Sequence, residues 1–199
     1  QKGETISIVF DLDQIAYRIF KGHKIRLSIS NSYWPLLWPT PDKSEIEIVE
    51  GSIEIPVING SIENTRNFLP EKTDEPWKTE TLKEASNSRK ITRDIGSDVS
   101  ILEIIDDFGL VRDLKHDLEI GSIAREWWSI HPDDPLSAEG KTHWTEERSR
   151  GAWKTRTETY AKMNSDAENF YIYAKLEAYE NEILFFEKEI SETISRDSH

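Results

Sequence analysis

The sequence predicts an all-β protein, an antiparallel jelly-roll β-sandwich, and three observations predict it. Apolar residues recur at every second position in many short runs, the period of a strand with one greasy face and one wet face. About a dozen such runs are separated by turn signals at ~8–12-residue intervals, the spacing of sandwiches and jelly rolls. No segment shows a convincing amphipathic helix. A helical alternative exists for residues 166–194, where Ala, Glu, Lys and Leu are frequent, but period-2 alternation and aromatic content favour strands there.

Whole-chain numbers exclude several function classes. The 199 residues suffice for one large all-β domain or two small ones. Seven Trp, six Tyr and seven Phe supply bulky core material, each burying ~150–250 Å². A net charge of −13 argues against nucleic acid and anionic membrane surfaces, both of which select Lys/Arg patches. The absence of cysteine removes disulfides and thiolate metal sites. It does not identify a compartment; the cytoplasm is favoured. No apolar run approaches the ~18 residues of a membrane span, and no leader peptide is visible. The chain opens on Gln1 with a strand starting near Thr5, which reads as a fragment or a processed chain.

Residues 1–58 hold the first strands. Ile6, Ile8, Phe10 and Leu12 alternate with polar neighbours, Gly22-His23 turns the chain, and Ile25, Leu27 and Ile29 alternate again. The second run breaks into Tyr33-Trp34-Pro35-Leu36-Leu37-Trp38-Pro39, followed by Pro41. Proline donates no ladder hydrogen bond and biases the preceding residue towards extended backbone, so three prolines end the strand in a stiff aromatic loop. Runs at 45–48 and 52–55, separated by Glu50-Gly51, read as a hairpin, with Pro56 marking an edge or a strand end. Residues 59–87 read as a polar surface excursion pinned by Leu69 and Trp77. Residues 88–190 return to strands: 89–95, 99–106, 108–114, 117–130, 142–148, 152–163, 170–179 and 183–188. Trp127 and Trp128 place one ring on each face, and turns are expected at 131–135, 149–151 and 180–181. Residues 191–199 are a tail. The whole of 1–199 is expected to form a single jelly-roll domain.

Candidate catalytic and metal signals are weak. A serine hydrolase of the α/β class needs a Gly-x-Ser-x-Gly elbow. Gly51-Ser52, Gly60-Ser61 and Gly121-Ser122 lack the flanking glycines and read as turns. His23 has no nucleophile or orienting acid beside it and reads as a locally hydrogen-bonded residue. His131 precedes Asp133-Asp134, whose carboxylates suit Asx turns. The five histidines lack zinc-ligand spacing. Asp106-Asp107 and Asp133-Asp134 lack a Ca²⁺-loop signature. Glu45 and Glu47 share a strand face in a pattern like that of some jelly-roll glycosidases, but such letters arise easily in half-exposed strands. No catalytic residue, metal or cofactor is expected.

The chain resembles a known family on particular residues. Gly22-His23-Lys24-Ile25-Arg26-Leu27-Ser28-Ile29-Ser30, followed by the Trp-Pro loop, resembles the C-terminal domain of the cocaine esterase-like (CocE/NonD) hydrolases, relatives of X-Pro dipeptidyl-peptidase. Asp11-Leu12-Asp13 and Ala16-Tyr17 precede it in the family's manner. Ile130 to Ala138 (IHPDDPLSA), Arg150 to Thr159 (RGAWKTRTET), Leu176 to Glu180 and Ile194 to Asp197 are similar to later family segments. The resemblance implies a jelly roll of the galactose-binding-like kind packed on an α/β-hydrolase domain that is itself absent here. The serine, aspartate and histidine of catalysis would lie in that absent domain. The family's jelly roll has further strands before the point matching Gln1, so the chain is expected to need its other half, or a neighbouring copy, at an exposed edge.

The implied function is that of a non-catalytic domain that stabilises a serine hydrolase of esterase, acylase or X-Pro dipeptidyl-peptidase type. Its partner would be the hydrolase domain of the same parent protein; a homo-oligomer is a further option. Tyr33, Trp34, Pro35, Trp38 and Pro39 are the candidate substrate-pocket or domain-interface residues, since pockets form at aromatic-lined domain interfaces. The rival reading is a stand-alone carbohydrate- or ligand-binding β-sandwich, with exposed aromatics stacking on sugar rings.

Overall fold

The computed structural model describes residues 3–43, 45–58 and 69–196. The chain forms two compact units, Gln1–Ser30 and Asn31–His199. In the first, Gly22 adopts φ +90°, a conformation that side chains disfavour. There the His23 N–H donates to the Phe20 carbonyl at 3.0 Å and the two rings meet edge to face at 6.0 Å. The expected turn is present and His23 is bonded locally, but no strand opens at His23.

The strands expected before residue 59 are not. Residues 5–12, 24–30, 45–48 and 52–55 form no strand. Alternation selects a face, but a strand exists only with a partner ladder. Gly51 is not in the left-handed conformation that a tight primed turn at 50–51 requires, so the predicted hairpin does not close. Glu45 and Glu47 therefore share no strand face, and the glycosidase-like pattern has no geometry behind it.

Among its described residues the second unit has eight strands: β1 (Thr79–Lys83), β2 (Ser86–Arg93), β3 (Ser100–Asp113), β4 (Leu118–His131), β5 (Asp134–Arg150), β6 (Trp153–Ser165), β7 (Asn169–Glu180) and β8 (Ile183–Ser195). They form one unclosed antiparallel sheet in the order β1-β3-β4-β5-β6-β7-β8, with β2 also on β3. The expected all-β antiparallel class, without an α/β-hydrolase domain, is what the structure shows. No helix among the described residues is long and apolar enough to cross a membrane. The helical alternative for 166–194 is replaced by β7 and β8.

Local chemistry explains the meander. Consecutive strands are joined by tight turns, with Arg150 opposite Trp153 and Glu180 opposite Ile183. Gly151 (φ +59°), Asn181 (+48°) and Glu182 (+64°) supply the left-handed backbone these turns need. At the third turn Asp134 Oδ1 accepts from the Leu136 N–H at 3.0 Å, the expected Asx arrangement. The two runs expected at 99–106 and 108–114 are one strand, β3, interrupted by a bulge between Asp107 and Leu110. Gly109 sits there at φ +79°. An added Cβ would lie 2.3 Å from the Lys83 carbonyl oxygen, so only glycine lets the β1–β2 connection cross so closely.

Other boundaries shift. β1 and the start of β2 fall within the polar excursion, of which residues 59–68 lie outside the described residues. Trp77 donates to Asp113, as a pin should, whereas Leu69 is exposed. Gly121-Ser122 lies inside β4 and is not a turn; Ser122 Oγ donates to Glu146 at 2.7 Å. Gly60-Ser61 lies outside the described residues. β8 runs through most of the expected tail.

The register fixes two unlike faces. One carries the rows Trp128–Gly140–Met163–Ile172, Thr142–Ala161–Ala174–Ile190 and Trp144–Thr159–Leu176–Lys188. The other carries Arg125–His143–Tyr160–Lys175–Glu189 and Thr145–Glu158–Glu177–Glu187. Trp127 and Trp128 do fall on opposite faces. Trp127 Nε1 donates to Glu103 at 3.1 Å and Trp128 Nε1 to Glu126 at 2.9 Å.

Candidate functional site

The aromatic loop at 31–43 belongs to the same unit as the sheet and is held against its tryptophan face. The Leu37 N–H donates to the Tyr33 carbonyl at 2.9 Å, closing a turn that contains a cis Trp34–Pro35 peptide. The turn points Trp34 and Trp38 one way. Their rings meet edge to face at 5.0 Å; Trp34 then meets Trp128 at 5.8 Å, and Trp38 meets Phe170 at 6.2 Å. All three are T-shaped, the arrangement that sets a positive ring edge on a negative face.

Trp128 can lie flat enough to receive Trp34 because its cross-strand neighbour is Gly140. A Cβ there would come within 2.6 Å of the Trp128 ring. Trp38 Nε1 donates to Ser165 Oγ at 2.9 Å. Arg196 completes the clasp. Its Nη1 donates to Ser165 Oγ at 2.9 Å and to the Asp166 carbonyl at 3.0 Å; its Nη2 donates to the Pro39 carbonyl at 2.6 Å. Its guanidinium stacks 4.7 Å from the centre of the Phe170 ring. Nearby, the Tyr171 hydroxyl and the Glu168 and Asn169 N–H groups hold the Asp166 carboxyl below its usual range.

The five predicted site residues thus divide. Trp34 and Trp38 are half-buried against the sheet, Pro35 is half-buried and Pro39 is buried. Tyr33 faces outward with Leu36 and Leu37, at 63%, 70% and 64% exposure. Gly140, Ser165, Phe170 and Arg196 were not expected at this site. A glycine opposite Trp128 on the next strand was the one readable signal.

The opposite face carries a titratable cluster. Glu158, 9% exposed, accepts from Thr145 Oγ1 at 2.7 Å, meets His143 Nε2 at 2.6 Å and pairs with Arg156. Burial pushes its carboxyl up, and the bonds from Thr145, His143 and Arg156 more than offset this, leaving it below its usual range. His143 stacks on Tyr160 at 4.3 Å, and Arg156 lies 4.2 Å from the centre of the Tyr179 ring. Arg125 donates to Thr145 Oγ1 at 3.0 Å. The Thr145 hydroxyl thus donates to Glu158, not to His143, so the cluster lacks the activated nucleophile of a hydrolytic triad. It ties β4, β5 and β6 together.

The acidic pair Asp106-Asp107 is used within the chain: Asp106 binds Arg89 through two bonds of 2.8 Å, and Asp107 pairs with Lys83. No group of three or more metal-ligating side chains gathers among the described residues.

Residues 1–80 match the family model of the X-Pro dipeptidyl-peptidase C-terminal non-catalytic domain. Over those 80 residues the chain is similar to that domain. The match covers the Gly-His strand motif and the whole aromatic loop. It ends as β1 begins, so the similar segments at 130–138, 150–159, 176–180 and 194–197 lie beyond it. No curated protein and no solved structure matches the chain. The clasp therefore joins a loop inside the matched residues to a sheet that lies almost wholly beyond them.

Proposed function

We propose that this chain is a non-catalytic accessory module of an X-Pro dipeptidyl-peptidase-like serine hydrolase, docked on the catalytic α/β-hydrolase domain of its parent protein. One observation carries the reading: the family-matched loop commits Trp34 and Trp38 to the sheet and turns Tyr33, Leu36 and Leu37 outward. Contiguous exposed apolar side chains on a stiff loop are the make-up of an interface core. In this reading Tyr33, Leu36 and Leu37 touch the hydrolase domain near its substrate entrance. Trp34, Trp38, Pro35 and Pro39 set the loop's angle from behind. The sheet supplies stability, and substrate chemistry stays with the partner's serine.

Two measurements test this. Fluorophosphonate labelling, read by intact mass, should leave this chain unmodified; label on it would place a nucleophile here and overturn the reading. A separately purified X-Pro dipeptidyl-peptidase-type catalytic domain should form a stoichiometric complex with the chain. Tyr33→Ala with Leu37→Ser should weaken that complex at least about tenfold, the loss expected from removing interface anchors. The unfolding midpoint should stay unchanged. An undiminished complex would remove the loop from the interface.

A further inference from the structure

We propose that the sheet binds a neutral saccharide in a shallow dish over β6, β7 and β8, on the face opposite the aromatic loop. The strand register sets the rows Lys162–Tyr173–Ser191 and Asn164–Tyr171–Thr193 side by side on that face. They line a cavity of about 230 Å³. Enclosed small-molecule sites run to roughly 300–1,000 Å³, so this one takes a single sugar ring and leaves the rest of a chain outside. Trp128, which receives the loop, belongs to the other face with Met163 and Ile172. The dish and the loop therefore lie on opposite sides of the sheet.

Two tyrosines supply the apolar part of the dish. Tyr171 and Tyr173 are two positions apart on β7, so their Cα atoms are roughly 6–7 Å apart, twice the rise of a strand. That spacing is close to the length of one sugar unit. Each ring is tied at its hydroxyl. Tyr171 donates to Asp166, and the Tyr173 hydroxyl is turned towards the Glu189 carboxylate. With both hydroxyls engaged, the ring faces are what the pair offers; the two residues are 38% and 37% exposed. The C–H groups on the flat side of a sugar carry small positive charges and rest on the negative face of an aromatic ring. A ring already fixed at its far end loses little further freedom when a ligand arrives.

The polar lining selects the class of ligand. No hydrogen bond to a described residue engages the side chains of Asn164, Ser191 or Thr193. An amide and a hydroxyl each donate and accept, as sugar hydroxyls do. A proline-rich peptide also rests on flat rings, but it presents mainly carbonyl acceptors and would leave the acceptors of this lining unused. Lys162 is the basic residue of the dish, and Glu139 neutralises it at 2.7 Å. A lysine ammonium has three donors, so Lys162 can also donate to a sugar hydroxyl. Glu192 borders the same dish, and the chain carries a net charge of −13. Carboxylated and phosphorylated sugars are therefore repelled, and a neutral one is selected.

Titration calorimetry on the full 199-residue chain tests the proposal. The probes are maltohexaose, cellohexaose, xylohexaose and mannohexaose, with hexagalacturonate and decaproline as the classes to be rejected. At least one neutral hexamer should bind with a Kd of about 1 mM or tighter. Tyr173→Ala should weaken that binding about tenfold, and Asn164→Ala about fivefold, with far-UV circular dichroism unchanged. Tyr173→Phe keeps the ring face and should stay within about twofold of the wild type. Should Tyr173→Ala fail to fold, Asn164→Ala decides the matter by itself. Binding of none of the four neutral hexamers overturns the proposal, as does binding that survives both alanine changes. Hexagalacturonate held as tightly as the neutral hexamers overturns the choice of a neutral ligand. Decaproline bound in place of every sugar would make the dish a peptide groove, and also overturns the proposal.

Discussion

Residues 5–12 and residues 170–178 alternate apolar and polar side chains equally well, yet only the second stretch is a strand. Ile6, Ile8 and Phe10 stay about 70% exposed. Phe170, Ile172, Ala174 and Leu176 sit in β7, laddered on both sides by β6 and β8. The difference lies in the connections. β5 to β8 follow one another through short turns, left-handed at Gly151 and at Asn181-Glu182 and held by the Asp166 carboxyl between β6 and β7, so each strand delivers its own neighbour. Residues 5–12 and 24–30 are joined by the left-handed Gly22 turn yet form no ladder, while beyond residue 30 the chain is interrupted by Pro35, Pro39, Pro41 and Pro56 and Gly51 does not make the reversal its position invites. Patterning chooses which face of a strand is apolar; a turn that delivers a partner ladder decides whether a strand forms at all.

That contrast can be broken most forcefully at Glu158. Glu158→Ala strips His143, Thr145 and Arg156 of their common acceptor, and breaking a buried ion pair of this kind should cost about 3 kcal/mol. Urea unfolding followed by circular dichroism reads it directly. The same carboxyl fixes the sign of the acid response. Its folded value is lowered from the ordinary 4.5, so its stabilisation is complete above that value and disappears as pH falls through the folded value. A Glu158→Gln chain should lack that part of the acid transition.

Gly140→Ala comes next. A methyl group 2.6 Å from the Trp128 ring must displace a stiff side chain already wedged by Trp34, at a cost of about 2 kcal/mol, with a changed near-UV spectrum. Ser165→Ala removes the shared partner of Trp38 and Arg196 and should cost about 1 kcal/mol. It should loosen the loop to protease while the far-UV spectrum stays that of the intact sheet. Ile8→Ala should be the mildest, below about 0.5 kcal/mol, as befits an exposed residue. A loss above 2 kcal/mol there would show that residues 5–12 do have a partner, and would erase the contrast.

Much of the sheet was legible in advance because its information is local. Alternation from Thr142 to Met163, the Gly151 and Asn181 turns and the opposed rings of Trp127 and Trp128 all depend on near neighbours in sequence. The bulge that fuses two expected runs into β3 was hidden, since it depends on how closely the Lys83 carbonyl approaches Gly109. The end of β8 was missed because Ile183–Ser195 is wholly exposed, which in sequence looks like a tail. The loop's aromatics were visible as important, but their division was not. That both tryptophans face inward and Tyr33 outward depends on Gly140, Ser165 and Arg196, all more than 90 residues away in sequence.

Arg196 has a consequence for the order in which the molecule is assembled. It closes a contact with Pro39 across 157 positions, and it lies just past the last strand. A ribosome adding roughly 5–20 residues per second finishes the aromatic loop long before it reaches this arginine, leaving an interval of roughly 8–30 s. Throughout that time Trp34 and Trp38 have no finished surface to rest on. The loop is the part of this unit that must wait, and a nascent-chain chaperone that recognises apolar segments has that interval in which to hold it.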